Sequence, residues 1–373
     1  MTARTGVDTT VAAAALAALR GASPDRLHAL FEHFGGAVGA LDAVRAGRAA
    51  AALADHPRRN DIARRWARDV DIDGTAARLR ERGTRVFSAD RPDFPLDPRL
   101  DDAPAVLFAE GERAEVLDRP RVAVIGTRAA TPGGLADARV IGRFLAQHGA
   151  TVVSGLALGI DGAAHEGALE VGGGVIGVVA TGLDVEYPPR HRPLYARVRE
   201  HGLLIGEHTF GVPPSRGRFP IRNRIIAGLS DVVVVVEAKV AGGTRHTADW
   251  ALRYHRDVLA MPGSRRNPSA AGCNELLRDG AEILLDPSDI TALLGLNSCV
   301  SAHASGDGSG WGDVKARLSP PARKLLRAMA GDPATIDQLV VLSGATTGEV
   351  AGLVRELERA GRVKRAQGRL WPC

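Results

Sequence analysis

The feature that most restricts the fold is a series of short apolar runs that alternates with helical stretches between residues 121 and 290. The runs are rich in β-branched residues and apolar throughout, which is typical of parallel strands buried on both faces. The runs are residues 122–125, 151–153, 175–179, 203–205, 232–236 and 258–260. Their alternation with helical stretches predicts an α/β core built on an open parallel sheet with right-handed crossovers.

The chain before this core consists of a predicted helical unit and a proline-rich connector. Residues 8–70 predict a helical unit, since Ala and Leu dominate its first segment and Ser23 followed by Pro24 is a typical helix start. A SAM-like or helix-hairpin-helix-like character of this unit is implied only by the family resemblance described below. Residues 71–120 are rich in proline and predict an irregular connector with short elements. We assign residues 121–296 to the Rossmann-like core.

The chain after the core begins with a linker and ends in a second small unit. Residues 297–312 are dominated by Ser and Gly, a composition typical of a flexible connection. Residues 313–373 show three helical segments followed by a short hairpin, the order of a winged helix.

Composition excludes several classes of protein. The formal net charge of +5 permits nucleic-acid binding without establishing it. The cysteines lie far apart and lack the spacing of a zinc site or a disulfide framework. The longest apolar run of the strands, 232–236, is too short to span a membrane, and no signal-peptide pattern begins the chain. We therefore expect a cytoplasmic protein without a cysteine-based zinc site. We also assign it no metal, no cofactor and no catalytic residue.

Glycine-rich turns follow two of the predicted strands. Gly126-Thr127-Arg128 comes after the first strand, where free amides and a helix N-terminus favour anions, so we expect Arg128 to contact a phosphate. A surface arginine beside a tight turn is the alternative. In the second turn, which includes Gly155, we expect Asp161 to cap the next helix and His165 to pair with it structurally.

Arginines cluster near the ends of two further strands. Arg190 and Arg192 follow Tyr187-Pro188-Pro189, and Arg216, Arg218, Arg222 and Arg224 precede the strand at 232. Either cluster could be a solvated face. Together with Arg128 they predict one basic groove that follows a flexible phosphate backbone.

Several motifs in a fixed order are more specific than any of these features alone. The motifs are VAVIGTRAATPGG, SGLALGIDGAAHEGAL, ATGLDVEYPPRHRPLY, FPIRNRIIAGLS and VLAMPGS followed by GCNELLRDGAEIL. In this combination the sequence resembles the DprA family, also called Smf, the DNA-processing proteins of bacterial transformation and recombination. The resemblance covers residues 80–290 and extends more weakly to both ends.

The resemblance implies a recombination mediator that binds single-stranded DNA, loads the RecA recombinase onto it and forms homodimers through the Rossmann-like core. It places DNA contacts at Arg128, near Arg190 and at the Arg-Asn-Arg motif. With the neighbouring glycines and arginine, the predicted site is Gly126, Arg128, Gly155, Arg190, Arg192, Arg222, Asn223 and Arg224.

Two other classes of function stay open. A Rossmann-like nucleotide phosphoribohydrolase would use a glycine-rich loop comparable to 242–249, but Arg245 and Asp249 depart from that enzyme's pattern. Arg245 and His246 also depart from the resembled family, in which the motif is Gly-Ser-x-x-Thr. A DNA-binding regulator would act through the winged helix alone. A dinucleotide oxidoreductase is disfavoured because its glycine fingerprint is missing.

Overall fold

The computed structural model describes residues 8–53, 56–97, 100, 102–294, 321, 325, 335–343, 345–359, 363–366 and 369–372. The chain forms two compact units, Met1–Val300 and Ser301–Cys373. The predicted linker 297–312 and most of the predicted helix at 321–329 lie outside the described residues.

The first unit begins with a group of helices, as predicted. They are α1 (Thr9–Ala17), α2 (Pro24–Phe34), α3 (Ala37–Arg45), α4 (Arg59–Asp69) and α5 (Ile72–Arg82). Ser23 caps α2 by accepting a hydrogen bond from the amide of Arg26, and Gly35 ends the helix with a φ of 73°. Trp66, Leu16 and Leu30 are fully buried and hold these helices together.

Nine strands form one sheet in the first unit. They are β1 (Arg85–Ser88), β2 (Val106–Glu110), β3 (Arg121–Ile125), β4 (Thr151–Ser154), β5 (Val175–Gly182), β6 (Gly202–His208), β7 (Val232–Val235), β8 (Asp257–Ala260) and β9 (Glu282–Ile283). Their order across the sheet is β1-β2-β6-β5-β4-β3-β7-β8-β9. The strands from β6 to β9 across this order are parallel, which confirms the predicted open parallel core.

The connector predicted to contain short elements adds two strands to the sheet. β1 and β2 arise from residues 71–120, and both pair antiparallel at the edge beside β6. None of the prolines of this segment lies inside the two strands, since Pro120 follows β2 and the others come between β1 and β2 in the sequence. A short antiparallel pair therefore extends the sheet.

Helices cover both faces of the sheet. They are α6 (Pro132–Gln147), α7 (Ile160–Leu169), α8 (Arg192–His201), α9 (Arg218–Leu229), α10 (Gly243–Arg253), α11 (Ala271–Arg278) and α12 (Ser288–Leu293). One buried cluster joins α6, α7 and α8 to the N-terminal helices, and a second joins α9, α10 and α11 to the opposite face. Among the described residues, no helix combines the length and apolar character needed to cross a membrane.

The second unit contains α13 (Ile336–Ser343), α14 (Thr347–Arg359) and an antiparallel hairpin of β10 (Val363–Ala366) and β11 (Arg369–Pro372). Thr346 and Glu349 form a capping box at the start of α14, in which each side chain accepts from the backbone amide of the other. Leu339 and Val350 belong to a small buried core. The two helices and the hairpin follow the order predicted for a winged helix.

Candidate nucleic-acid interface

A crevice lies where the winding direction of the sheet reverses. β3 pairs with β4 on one side and with β7 on the other. Ligands of open α/β sheets bind outside the carboxyl ends of the strands at such a switch point. The crevice has a volume of about 660 Å³ and is bounded by the turn after β3, the start of α9 and the segment between β7 and α10. The first glycine turn predicted from the sequence therefore forms one of its walls.

Arg128 is exposed on the wall of this crevice. Its Cζ atom lies 5.2 Å from the centroid of the Phe219 ring, a cation–π contact. In the part of the chain that the structure describes, Arg128 forms no hydrogen bond or ion pair, so its N–H donors are available to an anion. Arg216 and Lys239 line the same crevice and are likewise without a hydrogen-bond partner among the described residues.

Two aromatic side chains add an apolar surface to these cations. Tyr187 and Phe219 have ring centroids 5.6 Å apart and an interplanar angle of 42°. Both line the crevice, and Tyr187 is 39% exposed. Aromatic faces beside unpaired cations are the combination with which proteins hold the bases and phosphates of single strands.

The two predicted glycines allow close packing at the base of the crevice. A Cβ atom on Gly126 would lie 2.5 Å from the Ile160 side chain and 2.8 Å from the carbonyl oxygen of Glu237. A Cβ atom on Gly155 would lie 2.5 Å from the Arg222 guanidinium. Both positions therefore serve the shape of the site, and any larger residue would displace a wall of the crevice.

Arg222 borders the crevice but is buried beneath its surface. Its guanidinium donates to the carbonyl oxygens of Gly155, at 2.9 Å, and Val178, and to the side-chain oxygen of Asn223 at 3.2 Å. Burial lowers the pKa of Arg222, and the carboxylate of Asp161 opposes that change. These bonds make Arg222 a support for β4 and β5, and its contact with DNA stays a prediction.

Arg224 and Asn223 are also held by protein partners. Arg224 is 2% exposed and donates to the carboxylate of Glu207 at 2.7 Å and to the carbonyl oxygen of Asp102. The Asn223 amide donates to the carbonyl oxygen of Gly243 at 3.1 Å, which fixes the start of α10. Of the Arg-Asn-Arg motif, Arg222 and Asn223 line the crevice and Arg224 does not.

Asp161 and His165 do not form the helix cap and the structural pair that were predicted for them. Asp161 is the second residue of α7 rather than its cap, and its carboxylate accepts from the amide of Gly155 at 3.0 Å. Burial raises the pKa of Asp161, and the Arg222 guanidinium opposes the rise. His165 bonds to the carbonyl oxygen of Ile176 at 3.1 Å, and the described residues give no bond between it and Asp161. The predicted cap and pair were therefore wrong, because both side chains turn to the strands.

Arg190 lies on the connection that follows β5, and Arg192 is the first residue of α8. Both are exposed, and the weak ion pair of Arg192 with Glu186 has a separation of 3.9 Å. His191 between them bonds to the carbonyl oxygen of Leu156 at 2.9 Å, which docks this connection onto the turn after β4. Neither arginine lines the crevice itself, although Tyr187 at the start of the same connection does.

Arg245 has a structural explanation that the sequence did not provide. It forms ion pairs with Asp279 at 2.9 Å, with Glu275 at 3.3 Å and with Asp249 at 3.9 Å. The side chain therefore ties α10 to α11. An arginine neutralised by three carboxylates is poorly suited to hold a phosphate.

The aromatic pair and Lys239 were missed as site residues in the sequence. Tyr187 and Phe219 stand inside two of the quoted motifs, yet their positions far apart in the chain give no sign that their rings meet. Lys239 follows β7 and stands alone in the sequence. Its place at the carboxyl end of a central strand is the signal that could have found it.

The described residues contain no cluster of His, Cys, Asp and Glu suited to a metal ion. Cys273 is buried, and burial raises the pKa of its thiol to about 12. The thiol is therefore protonated at neutral pH, which makes it a poor nucleophile.

The chain is similar to known proteins along most of its length. Residues 85–295 match the family model of DNA recombination-mediator protein A, and residues 313–369 match that of the DprA winged helix domain. The chain is 36% identical over 348 residues to a putative DNA processing protein DprA of Mycobacterium tuberculosis, covering 90% of this chain and 87% of the relative. It is 35% identical over 317 residues to Protein Smf of Synechocystis, covering 77% of this chain and 80% of that protein.

Two solved structures are similar to the chain. DNA processing protein A of Streptococcus pneumoniae superposes with a TM-score of 0.66 at 31% identity, over 74% of this chain and 95% of that one. DNA processing protein A of Helicobacter pylori superposes with a TM-score of 0.50 at 32% identity, over 56% of this chain and 95% of that one. The latter structure is described as showing a unique single-stranded DNA binding mode.

Proposed function

Because this chain belongs to the DNA recombination-mediator protein A family, whose members are recombination mediators and not enzymes, we propose that it binds single-stranded DNA in the crevice between β3 and β7. The observation that carries the proposal is the meeting of Arg128, Arg216 and Lys239 with the Tyr187–Phe219 pair in one open crevice. The cations bind phosphates, and the rings stack against unpaired bases.

The proposal assigns two kinds of role within the predicted site. Arg128 contacts phosphate directly, since it is exposed and free of protein acceptors. Arg190 and Arg192 extend the basic surface beyond the crevice. Arg222 and Arg224 are positioning residues. Gly155 leaves the space in which Arg222 packs, and Gly126 leaves the space for Ile160 and the backbone of Glu237.

A fluorescence-anisotropy titration with single-stranded and duplex DNA of equal length, at two salt concentrations, tests this function. We expect tighter binding to the single strand, because duplex bases cannot reach the aromatic pair. The Arg128→Ala variant should lose affinity for all sequences alike, and its plot of log affinity against log salt should flatten by about 0.7, the share of one phosphate.

Arg278→Ala is the matched control for charge, because Arg278 is exposed at the end of α11 and lies outside the crevice. It should leave the affinity and the salt slope nearly unchanged. Equal affinity of the native protein for duplex and single strand, or an unaltered slope in Arg128→Ala, contradicts the proposal.

We further propose that the bound strand is passed to the RecA recombinase. The support is the family's description as a recombination mediator, together with a crevice that leaves one side of a bound strand open. The native protein should accelerate RecA-dependent ATP hydrolysis on single-stranded DNA, and Arg128→Ala should not. Equal acceleration by both proteins would separate RecA loading from this crevice.

We also propose that the chain forms a homodimer through the edge of the sheet at β9. β9 has no strand on its outer side among the described residues, and Ile283 and Leu285 are 57% and 78% exposed. An unpaired strand edge with apolar side chains is a ready surface for a second copy of the chain.

Replacing Leu285 with lysine should convert the dimer to a monomer, because a charge would be buried at the contact. Sedimentation velocity at micromolar concentration measures the change. Leu252→Lys is the control, since Leu252 is 56% exposed on α10 rather than at this edge. A dimer that persists in Leu285→Lys rules out this surface.

A further inference from the structure

A buried glutamate reaches across the switch point of the sheet. Glu237 follows β7 and is 7% exposed. Its carboxylate accepts hydrogen bonds from the backbone amide of Thr131 at 2.9 Å and from the Thr131 hydroxyl at 2.6 Å. Thr131 is the cap of α6, the helix that follows β3. The negative charge therefore rests on the N-terminus of that helix.

The surrounding backbone is shaped to hold this carboxylate. A Cβ atom on Gly134 would lie 2.4 Å from the carboxyl carbon of Glu237, so only glycine leaves room for it. The carbonyl oxygen of Glu237 also accepts from the amide of Thr127 at 2.7 Å, which joins the end of β7 to the turn after β3. The glutamate is thus fixed by its own backbone as well as by its side chain.

The carboxylate of Glu237 lies where open α/β sheets commonly bind a phosphate. At the switch point, the helix after the first strand binds a nucleotide phosphate with its free amides and its positive dipole end. A carboxylate has the same negative charge and the same oxygen acceptors. From within the chain, Glu237 accepts from the amide and the hydroxyl of Thr131, and the Thr131 hydroxyl oxygen in turn accepts from the amide of Gly134. The polar groups at this helix end are therefore already satisfied without a phosphate.

We infer that Glu237 is an internal anion that occupies the phosphate position at the start of α6, beside the crevice, and makes the protein reject mononucleotides and dinucleotides there. Lys239, two residues later, lines the open crevice. The same segment therefore closes the helix end to a terminal phosphate and presents a cation to a polynucleotide backbone. This assigns to Glu237 a role in ligand selection that is independent of whether the crevice binds DNA.

The charge at the start of α6 supports this role. The pKa of Asp137, in the second turn of the helix, is raised by partial burial and by the carboxylate of Glu237. Negative potential is therefore already high at this helix end. A phosphate brought to the same place would be repelled by both carboxylates.

The test compares native protein with Glu237→Ala, which empties the position, and with Glu237→Gln, which keeps it filled. Melting temperatures are measured in sodium phosphate and in sodium chloride at equal ionic strength. Phosphate should raise the melting temperature of Glu237→Ala by about 2–4 °C more than that of the native protein, because the free anion replaces the lost carboxylate. Glu237→Gln should respond as the native protein does.

Native protein titrated with ADP provides a second measurement by NMR. The backbone amide resonances of Thr131 and Gly134 should not shift, and a saturable shift of either one overturns the inference. An equal phosphate response of Glu237→Ala and native protein also overturns it. If Glu237→Ala folds only in phosphate, the inference is supported, and if it folds in neither buffer, the ADP titration decides.

This result can be separated from the proposed function. A native protein that binds neither single-stranded DNA nor ADP would leave the role of Glu237 standing and remove the DNA site. A native protein that binds DNA and also binds ADP at Thr131 would keep the DNA site and remove the role of Glu237.

Discussion

Arg222→Ala is expected to lower the free energy of unfolding by about 3–5 kcal/mol, because it removes three buried hydrogen bonds of a cation, each worth roughly 1.5–3 kcal/mol. The substitution also removes the positive charge that favours the ionised form of Asp161, and it leaves the carbonyl oxygens of Gly155 and Val178 without this donor. Thermal unfolding should show the loss as a decrease of roughly 10 °C in the melting temperature.

Arg216→Ala is the matched control, since Arg216 lines the same crevice but is exposed. Its removal should change stability by less than about 0.5 kcal/mol. Combining Arg222→Met with Asp161→Asn should recover part of the loss, because no buried charge then stands alone. A native-like melting temperature in Arg222→Ala with a loss of DNA affinity would restore Arg222 as a direct contact.

The arginine pattern in the sequence does not show which arginines are exposed and which are buried. Arg218, Arg222 and Arg224 occur within one short segment and look alike in the sequence. Their surroundings differ because α9 packs against the sheet, so the side chain of Arg222 meets the ends of β4 and β5. Clustering near a strand end therefore pointed to the crevice that we propose as the site, but only the packing separates an exposed cation from a buried support.

The fold could be predicted where a strand is visible in the sequence as an apolar run. Strands buried on both faces must be apolar throughout, and the runs that become β3 to β8 are visible for that reason. β1 and β2 were not assigned because the prolines around them favour irregular structure, and strand pairing in an edge depends on distant residues. The boundaries at residues 296 and 312 lie outside the described residues and stay predictions.

Some features of the crevice could be predicted from the sequence and others could not. Arg128 could be placed because a glycine turn after the first parallel strand has a known position in the fold. The partnership of Tyr187 with Phe219, and that of Glu237 with Thr131, join residues from separate strand ends. The chain spacing of these residues gives no information about contact, so the stacking surface and the internal anion needed the three-dimensional structure.

The stability of the first unit should also fall as the pH decreases, and His165 is expected to cause a large part of that fall. The side chain is fully buried, and burial, with a smaller effect of His191, lowers its pKa from 6.5 to about 4. Its Nε2 atom donates to the carbonyl oxygen of Ile176, and Nδ1 has no partner among the described residues. The imidazole is therefore neutral in the folded protein.

The direction of the effect follows from this depressed pKa. Above pH 6.5 the imidazole is neutral in both the folded and the unfolded chain, and it has no effect on the pH dependence of stability. Between pH 6.5 and about 4 the unfolded chain binds a proton that the folded chain does not, so stability is lost as the pH falls. At pH 5.0 the loss should be about 2 kcal/mol relative to pH 7.5.

Urea unfolding of native protein and His165→Gln at pH 7.5 and pH 5.0 measures this contribution. The glutamine amide can donate to Ile176 in place of Nε2 but does not titrate, so the variant should lose about 2 kcal/mol less than the native protein between the two pH values. His33→Gln is the control, because His33 is exposed and its replacement should leave the pH dependence as in the native protein. If His165→Gln and native protein lose the same stability, another buried group must carry the effect, and His208, whose pKa is also lowered by burial, is the next candidate.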